Sequence, residues 1–267
     1  MNDALEGLTP AMDVGYRQSK GDSRMEINRA VVLVTGASSG IGAATARAAS
    51  RAGARLVLLA RREDRIRKLA ADLGDALAVR CDVTDQTQVT HAVRAATDKF
   101  GRIDVLINNA GQGLQASIEE IKVEDYRDLL NLNLIAPLMM MQAVVPLMRK
   151  QGVGSIVNVS SGITFAPIPN TAAYNSSKAA LNMLSNIARG ELAQAGIAVS
   201  TLYPFITATD FIDSIKAGKE SAKQLEASTG LVRNTPDEVA EKILHLVRTG
   251  EERADLVPER FGGTCKG

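Results

Sequence analysis

Tryptophan is absent from this 267-residue chain, and Phe and Tyr together make up only 3% of it. Any core must therefore be packed mainly by Ala, Val, Leu and Ile. The only cysteines are Cys81 and Cys265, too few for a disulfide framework or a structural zinc site. The only histidines, His91 and His245, stand in no metal-ligand spacing, so no metal centre is expected. Neither sign of charge dominates: 31 Lys and Arg face 30 Asp and Glu, for a formal net charge of +1. That balance points to neither nucleic acid nor an anionic membrane as a partner. No apolar run approaches the ~20 residues of a membrane-spanning helix. The N-terminus lacks the apolar segment of a secretory signal. A reduced, soluble, cytoplasmic protein acting on a small molecule is the default expectation.

What is present is a chain 45% hydrophobic, long enough for one large α/β domain or two small ones. Residues 1–24 are polar and glycine-rich without sustained periodicity, and read as a loosely ordered extension. Met25 opens a natural start, so the extension is either a working arm or the product of a misplaced start codon. Residues 25–267 read as a single domain. Short apolar runs at 30–35, 55–60, 77–81, 105–108, 155–160 and 198–203, with a weaker one at 254–257, suit strands covered on both faces. Helical patterns lie between them at 41–52, 63–73, 87–99, 123–150, 172–195 and 236–249. The alternation predicts a parallel, doubly wound α/β sheet with right-handed crossovers.

The first strand runs into TGASSGIG, Thr35 to Gly42, and then into a helix. Glycines at 36, 40 and 42 permit backbone shapes and close approaches that a Cβ would block. A strand, a glycine turn and a helix N-terminus together form an anion site, and a pyrophosphate fits there. The cradle would be Gly36, Ser38, Ser39, Gly40, Ile41 and Gly42. The alternative is a plain strand-to-helix turn. The second strand ends LVLLARRED, with Ala60 where an NAD-preferring fold carries an acid. A carboxylate would repel a 2′-phosphate, whereas an Arg fork binds one. NADP(H) is therefore favoured over NAD(H), with Arg61 as the main contact. Otherwise Arg61 and Arg62 are a solvated helix start paired with Glu63 and Asp64.

In TAAYNSSKAAL, Tyr174 and Lys178 are four residues apart on one helical face. The stripe continues through Leu181, Ser185, Ala188 and Leu192, so a lysine lies on a buried face. Near the carboxyl edge of the sheet it would border the ligand crevice. There it could bind ribose hydroxyls and favour the phenolate of Tyr174, a usable general acid/base. The plainer possibility is a core tyrosine with a snorkelling lysine.

Taken together, TGASSGIG, NNAG at 108–111 and YNSSK at 174–178 resemble the short-chain dehydrogenase/reductase family over roughly residues 28–260. The resemblance implies a Rossmann-type sheet of about seven strands and a nicotinamide cofactor. Matched by position, Tyr174 is the acid/base, Lys178 binds the nicotinamide ribose and lowers the tyrosine pKa, and Ser161 stabilises the substrate oxygen, with Ser160 as the lesser choice. Asn133 matches the family's asparagine, with Asn131 as the fallback. Pro137 gives Asn133 an independent reason, because a proline four residues on has no N–H for its carbonyl. Asp82 and Val83 would meet the adenine, and Asn109, Ala110 and Gly111 the adenosine ribose. Pro204, Thr207 and Thr209 would border the nicotinamide, although Phe205 replaces the family's usual glycine.

Residues following these motifs, Gln112, Leu114, Ile163, Phe165, Ile206 and Phe211, are mostly apolar and suggest a lipophilic ketone or secondary alcohol. Several could instead face the core or a subunit contact. Residues 205–232 read as a lid or as a helix-turn insertion. The resemblance also implies a homo-oligomer, dimer or tetramer. The leading reading is an NADP(H)-dependent oxidoreductase. The alternative is a non-catalytic dinucleotide-binding scaffold or sensor on the same fold.

Overall fold

The structure is a computed structural model that describes residues 25–228 and 233–266. The extension 1–24 and the last residues of the expected lid lie outside the described residues. Seven strands form one sheet: β1 Val31–Thr35, β2 Arg55–Ala60, β3 Ala76–Arg80, β4 Val105–Asn108, β5 Gly154–Val159, β6 Ile197–Tyr203 and β7 Arg253–Asp255. Their order is β3-β2-β1-β4-β5-β6-β7, and every pairing is parallel. The apolar runs of β1 and β4 are buried along their whole length. Such burial on both faces is why these strands read as unbroken hydrophobic segments rather than alternating ones.

One layer of helices covers each face. Helices α1 Gly40–Arg51, α2 Glu63–Leu73 and α8 Pro236–Thr249 pack on one side, and α3 Gln86–Phe100, α5 Ala136–Gln151 and α6 Ala172–Ala193 on the other. The shortage of aromatics is met by close packing of small side chains. Helix α1 buries Ala43, Ala44, Ala46, Ala48 and Ala49, which lets its backbone lie close to its neighbours. Asp85 caps α3 by accepting from the N–H groups of Thr87 and Gln88, and Thr235 and Glu238 form a capping box on α8.

The helix expected over 123–150 is interrupted. Helix α4 Val123–Leu130 passes through a π turn at Asn131–Ile135 before α5 begins. The N–H of Ala136 bonds to the carbonyl of Asn131, five residues back. Pro137 has no N–H to offer Asn133, and the ladder shifts register just before it. The whole run Val123–Gln151 spans 29 residues with a mean hydropathy of 1.5 over its most apolar window. By length and composition it is long and apolar enough to cross a membrane, which corrects the expectation of no such run. Its Met140, Met141, Val144 and Met148 are buried in the core against β4 and β5.

The stretch expected as a lid contains helix α7 Lys219–Ser228. Other differences are shifts of one or two residues at element ends, where terminal hydrogen bonds decide the boundary.

The sheet reverses its direction of growth between β1 and β4, which is where such sheets bind ligands, beyond the strands' carboxyl ends. Thr35 secures that point. Its Oγ1 donates to Ile107 O and accepts from the N–H groups of Asn109 and Ala110 at 2.9 and 3.0 Å.

Candidate active site

A single cleft of about 1040 Å³ opens at this switch point. It runs from the glycine turn and the end of β2, past the end of β4, to Ser161, Tyr174 and Phe211. All three sequence motifs, far apart in the chain, border this one space.

The glycine turn is held by its own crowding. Gly36 has φ +66, and an added Cβ there would sit 2.9 Å from Asn109 Nδ2. At Gly42 a Cβ would press into the Gly36 carbonyl oxygen, a backbone atom that has no room to yield. Gly42 therefore packs the first turn of α1 onto the strand and does not itself line the cleft. The other cradle residues, Gly36, Ser38, Ser39, Gly40 and Ile41, do. Ser39, the N-cap residue, makes no side-chain capping bond. The N-terminal end of α1 thus faces the cleft with its helix dipole, a setting suited to an anion.

Both arginines after β2 border the cleft and are exposed. Arg62 reaches back to the glycine loop, donating to Ser38 Oγ at 2.8 Å and to Ser39 Oγ at 2.7 Å. This contact was not visible from sequence, which favoured Arg61. The guanidinium of Arg61 has no hydrogen bond or ion pair among the described residues. Asp82 Oδ1 accepts from the N–H and Oγ1 of Thr84, and Asp82, Val83, Asn109, Ala110 and Gly111 all border the cleft. Cys81, beside them, is buried, and burial first, then Asp82 and Asp85, push its thiol up to about 11.

At the other end, Lys178 is 4% exposed and donates from Nζ to Val159 O at 2.9 Å. Burial pulls its pKa down to about 8. Tyr174 stands one turn earlier on α6 and borders the cleft with Ser161. Burial pushes the phenol up to about 12, against a smaller lowering effect of Ser161. The expected lowering by Lys178 is not among the causes of this shift: desolvation of the phenolate decides the direction. Ser160, the lesser candidate, points elsewhere and donates to Asn182 Oδ1 at 2.5 Å.

Asn133 is fully buried within the π turn. Its Oδ1 accepts from Gln112 N at 3.0 Å, and its Nδ2 donates to Gln112 O at 2.9 Å and Ser177 Oγ at 3.1 Å. It ties the loop after β4 to α6, behind the cleft, while the exposed fallback Asn131 reaches the cleft rim. A Cβ on Gly111 would lie 3.3 Å from Asn133 Oδ1 and 3.4 Å from Lys178 Nζ. The glycine of NNAG is thus the spacer between these two groups.

Pro204, Ile206, Thr207 and Thr209 follow β6 along the cleft. Thr209 Cγ2 lies 3.1 Å from where a Gly40 Cβ would be, so this segment touches the glycine turn. Phe211 then reaches Tyr174, with ring centroids 5.9 Å apart. Gln112, Leu114, Ile163, Ile206 and Phe211 line the substrate end. Phe165 does not: its ring packs edge-on against Tyr203 at 5.1 Å. Two wall residues escaped the sequence reading. Ile215 follows the loop after β6, and Phe261 arrives from the C-terminal turn Glu259–Phe261. Phe261 stacks on Phe205 at 5.5 Å, so the unusual phenylalanine after Pro204 has an aromatic partner that no local pattern announces.

The short chain dehydrogenase family model matches residues 30–220. An uncharacterized oxidoreductase of Staphylococcus epidermidis is 35% identical over 203 residues, covering 76% of this chain and 87% of that protein. Among solved structures, a 3-ketoacyl-(acyl-carrier-protein) reductase from Brucella melitensis complexed with NADH aligns with a TM-score of 0.78 and 30% identity, covering 86% of this chain and 97% of the other. An alcohol dehydrogenase from the archaeon Thermococcus sibiricus complexed with 5-hydroxy-NADP aligns with a TM-score of 0.74 and 27% identity, covering 86% of this chain and 96% of the other. With the glycine turn, Tyr174 and Lys178 gathered on one cleft and a family match across most of its length, this chain belongs to the short-chain dehydrogenase/reductase family of oxidoreductases.

Proposed function

We propose that the protein is an NADP(H)-dependent oxidoreductase interconverting a lipophilic ketone and its secondary alcohol. The observation that carries this reading is the single cleft shared by the glycine turn, Arg61, Ser161, Tyr174 and Lys178. A dinucleotide fits the residues present. The α1 N-terminus would hold its pyrophosphate, Asp82 and Val83 its adenine, and Lys178 its nicotinamide ribose. Pro204, Thr207 and Thr209 would border the nicotinamide. Arg61, unengaged at the rim, would take a 2′-phosphate, with Arg62 fixing the serines of the loop beside it. The relatives' cofactors, NADH in one and a modified NADP in the other, fit either dinucleotide, so the preference for NADP(H) rests on Ala60 and the two arginines.

Bound there, the nicotinamide would exchange a hydride with the substrate carbon and, when oxidised, bring positive charge beside the phenol. Tyr174 gives or takes the proton on the substrate oxygen. With its pKa held up near 12, the phenol is protonated at neutral pH and suited to donate to a carbonyl oxygen. Ser161 donates to the same oxygen and stabilises the charge that develops on it. Leu114, Ile163, Ile206 and Phe211 exclude water and favour apolar substituents. The assay is turnover of apolar ketones with NADPH and of secondary alcohols with NADP⁺, followed by nicotinamide absorbance. Turnover of at least one class is expected. Tight NADPH binding without turnover across both classes would favour the scaffold reading.

We further propose that the chain works as a homo-oligomer. Met183 and Ile187 lie one turn apart on α6 and are 60% and 53% exposed, an apolar stripe suited to a copy of itself. Light scattering should give a dimer or tetramer; a monomer would refute this.

A further inference from the structure

Asn175 follows Tyr174 directly and has no part in the chemistry described above. Its side chain is half-buried on the first turn of α6. Nδ2 donates to two backbone carbonyls of the turn after β5, Ile163 O at 2.8 Å and Ala166 O at 3.1 Å. An amide nitrogen carries two hydrogens, and two carbonyls converge on them. The geometry therefore fixes which way the amide faces.

Ile163 is also the residue that touches the catalytic serine. Its N–H donates to Ser161 Oγ at 3.2 Å. That bond occupies a lone pair of the hydroxyl and leaves its hydrogen directed elsewhere. Ser161 and Tyr174 border the same cleft, and Ser161 acts to lower the phenol's pKa. Ile163 is thus gripped through its carbonyl by Asn175 while its N–H orients Ser161. The turn between them, Gly162–Phe165, is a 3₁₀ helix of four residues, a form with poor intrinsic hydrogen-bond geometry. A second anchor acts on a different atom: Thr164 Oγ1 donates to Ser161 O at 3.0 Å and accepts from Asn182 Nδ2 at 3.2 Å. That anchor holds the serine's backbone and leaves its hydroxyl rotor untouched.

We propose that Asn175 is a positioning residue that, through Ile163, presets the Ser161 hydroxyl as a hydrogen-bond donor toward the reacting oxygen beside Tyr174. This inference rests on the reading of Ser161 and Tyr174 as the catalytic pair. Asn175→Ala frees Ile163, and the serine loses its fixed orientation. A misplacement of this kind costs roughly 10-fold to 100-fold in kcat, with KM and NADPH affinity near wild type. Asn175→Asp presents a carboxylate to two carbonyls and should lose more at neutral pH. It should recover as pH falls, because a protonated carboxyl can again donate to one of them.

A readout independent of turnover is the ¹³Cζ NMR signal of Tyr174, assigned by its absence in Tyr174→Phe. In Asn175→Ala it should move toward its position in Ser161→Ala. An unmoved tyrosine signal, or a drop in melting temperature with kcat unchanged, would overturn the proposal. Should Asn175→Ala fail to fold, the pH-dependent recovery of Asn175→Asp decides instead, and a flat pH profile would overturn the proposal. If the wild type turns over nothing, the oxidoreductase reading fails while the tyrosine signal still decides the positioning role.

Discussion

Tyr174→Phe is expected to lower kcat by about 10² to 10⁴-fold, the range associated with loss of a positioned acid/base. The substitution removes one hydroxyl and keeps the ring. The contact with Phe211, at 5.9 Å between centroids, survives, and so does the packing of α6. NADPH affinity should stay near wild type, because the residues proposed to hold the pyrophosphate and adenine are untouched. The loss should appear in kcat and kcat/KM alike, as expected for an interaction made only in the transition state. Steady-state kinetics on whichever substrate the wild type turns over would check this. Turnover within a fewfold of wild type would remove Tyr174 from the chemistry.

Lys178→Met is expected to make the ligand-free protein more stable and the enzyme inactive. The lysine is 4% exposed, and its one hydrogen bond, to Val159 O, does not cancel the cost of burying an ammonium. Burial lowers its pKa from 10.5 to about 8. Below pH 8 both the folded and unfolded chains hold this proton, and the destabilising cost is present in full. Between pH 8 and 10.5 the unfolded chain binds more protons, so stability rises with pH. Tyr174 acts in the opposite sense at higher pH. From 10.0 to about 12 the unfolded chain loses its phenolic proton first, so stability falls as pH rises. The two effects together favour the fold most near pH 10.

Methionine removes the first effect. After allowing about 1 kcal/mol for the lost hydrogen bond, a gain of roughly 2 kcal/mol at pH 7 is expected. The rise in stability above pH 8 should disappear. Turnover should fall by about 10² to 10⁴-fold, and NADPH binding should weaken, because the proposed ribose contact and the cation are both gone. Urea denaturation at several pH values would show this. A variant less stable than wild type at pH 7, with the wild-type pH dependence intact, would contradict the account of why a lysine lies on a buried helix face.

Much of the fold was legible because its signals are local. Strands covered on both faces leave unbroken apolar runs, and a glycine turn between strand and helix is a compact pattern. Tyr174 and Lys178 declare their shared face by spacing alone. The sequence reading went astray where distant contacts decide. The helix over 123–150 has a continuous pattern, yet Pro137 forces a π turn just ahead of it, and an amphipathic wheel does not encode that shift. Spacing put a cation near Tyr174, but the desolvation that raises the phenol depends on everything packed around α6. Phe165 and Phe261 are both apolar residues near expected walls. Only the three-dimensional course of the C-terminal turn sends one to Tyr203 and lets the other stack on Phe205. Arg62 and Arg61 are neighbours with identical chemistry, and the loop serines distinguish them only once folded. Asn175 sits inside the YNSSK motif, but its partners come from the turn after β5.

The measurement closest to the central claim is calorimetric titration of the purified protein with NADPH and with NADH. It needs no known substrate. NADPH binding tighter by about tenfold or more, equivalent to about 1.4 kcal/mol, is the expected result, with that margin lost in Arg61→Ala. Equal or reversed affinities would mean that the arginines after β2 do not read a 2′-phosphate. Failure to bind either dinucleotide would contradict the assignment of this cleft to a nicotinamide cofactor.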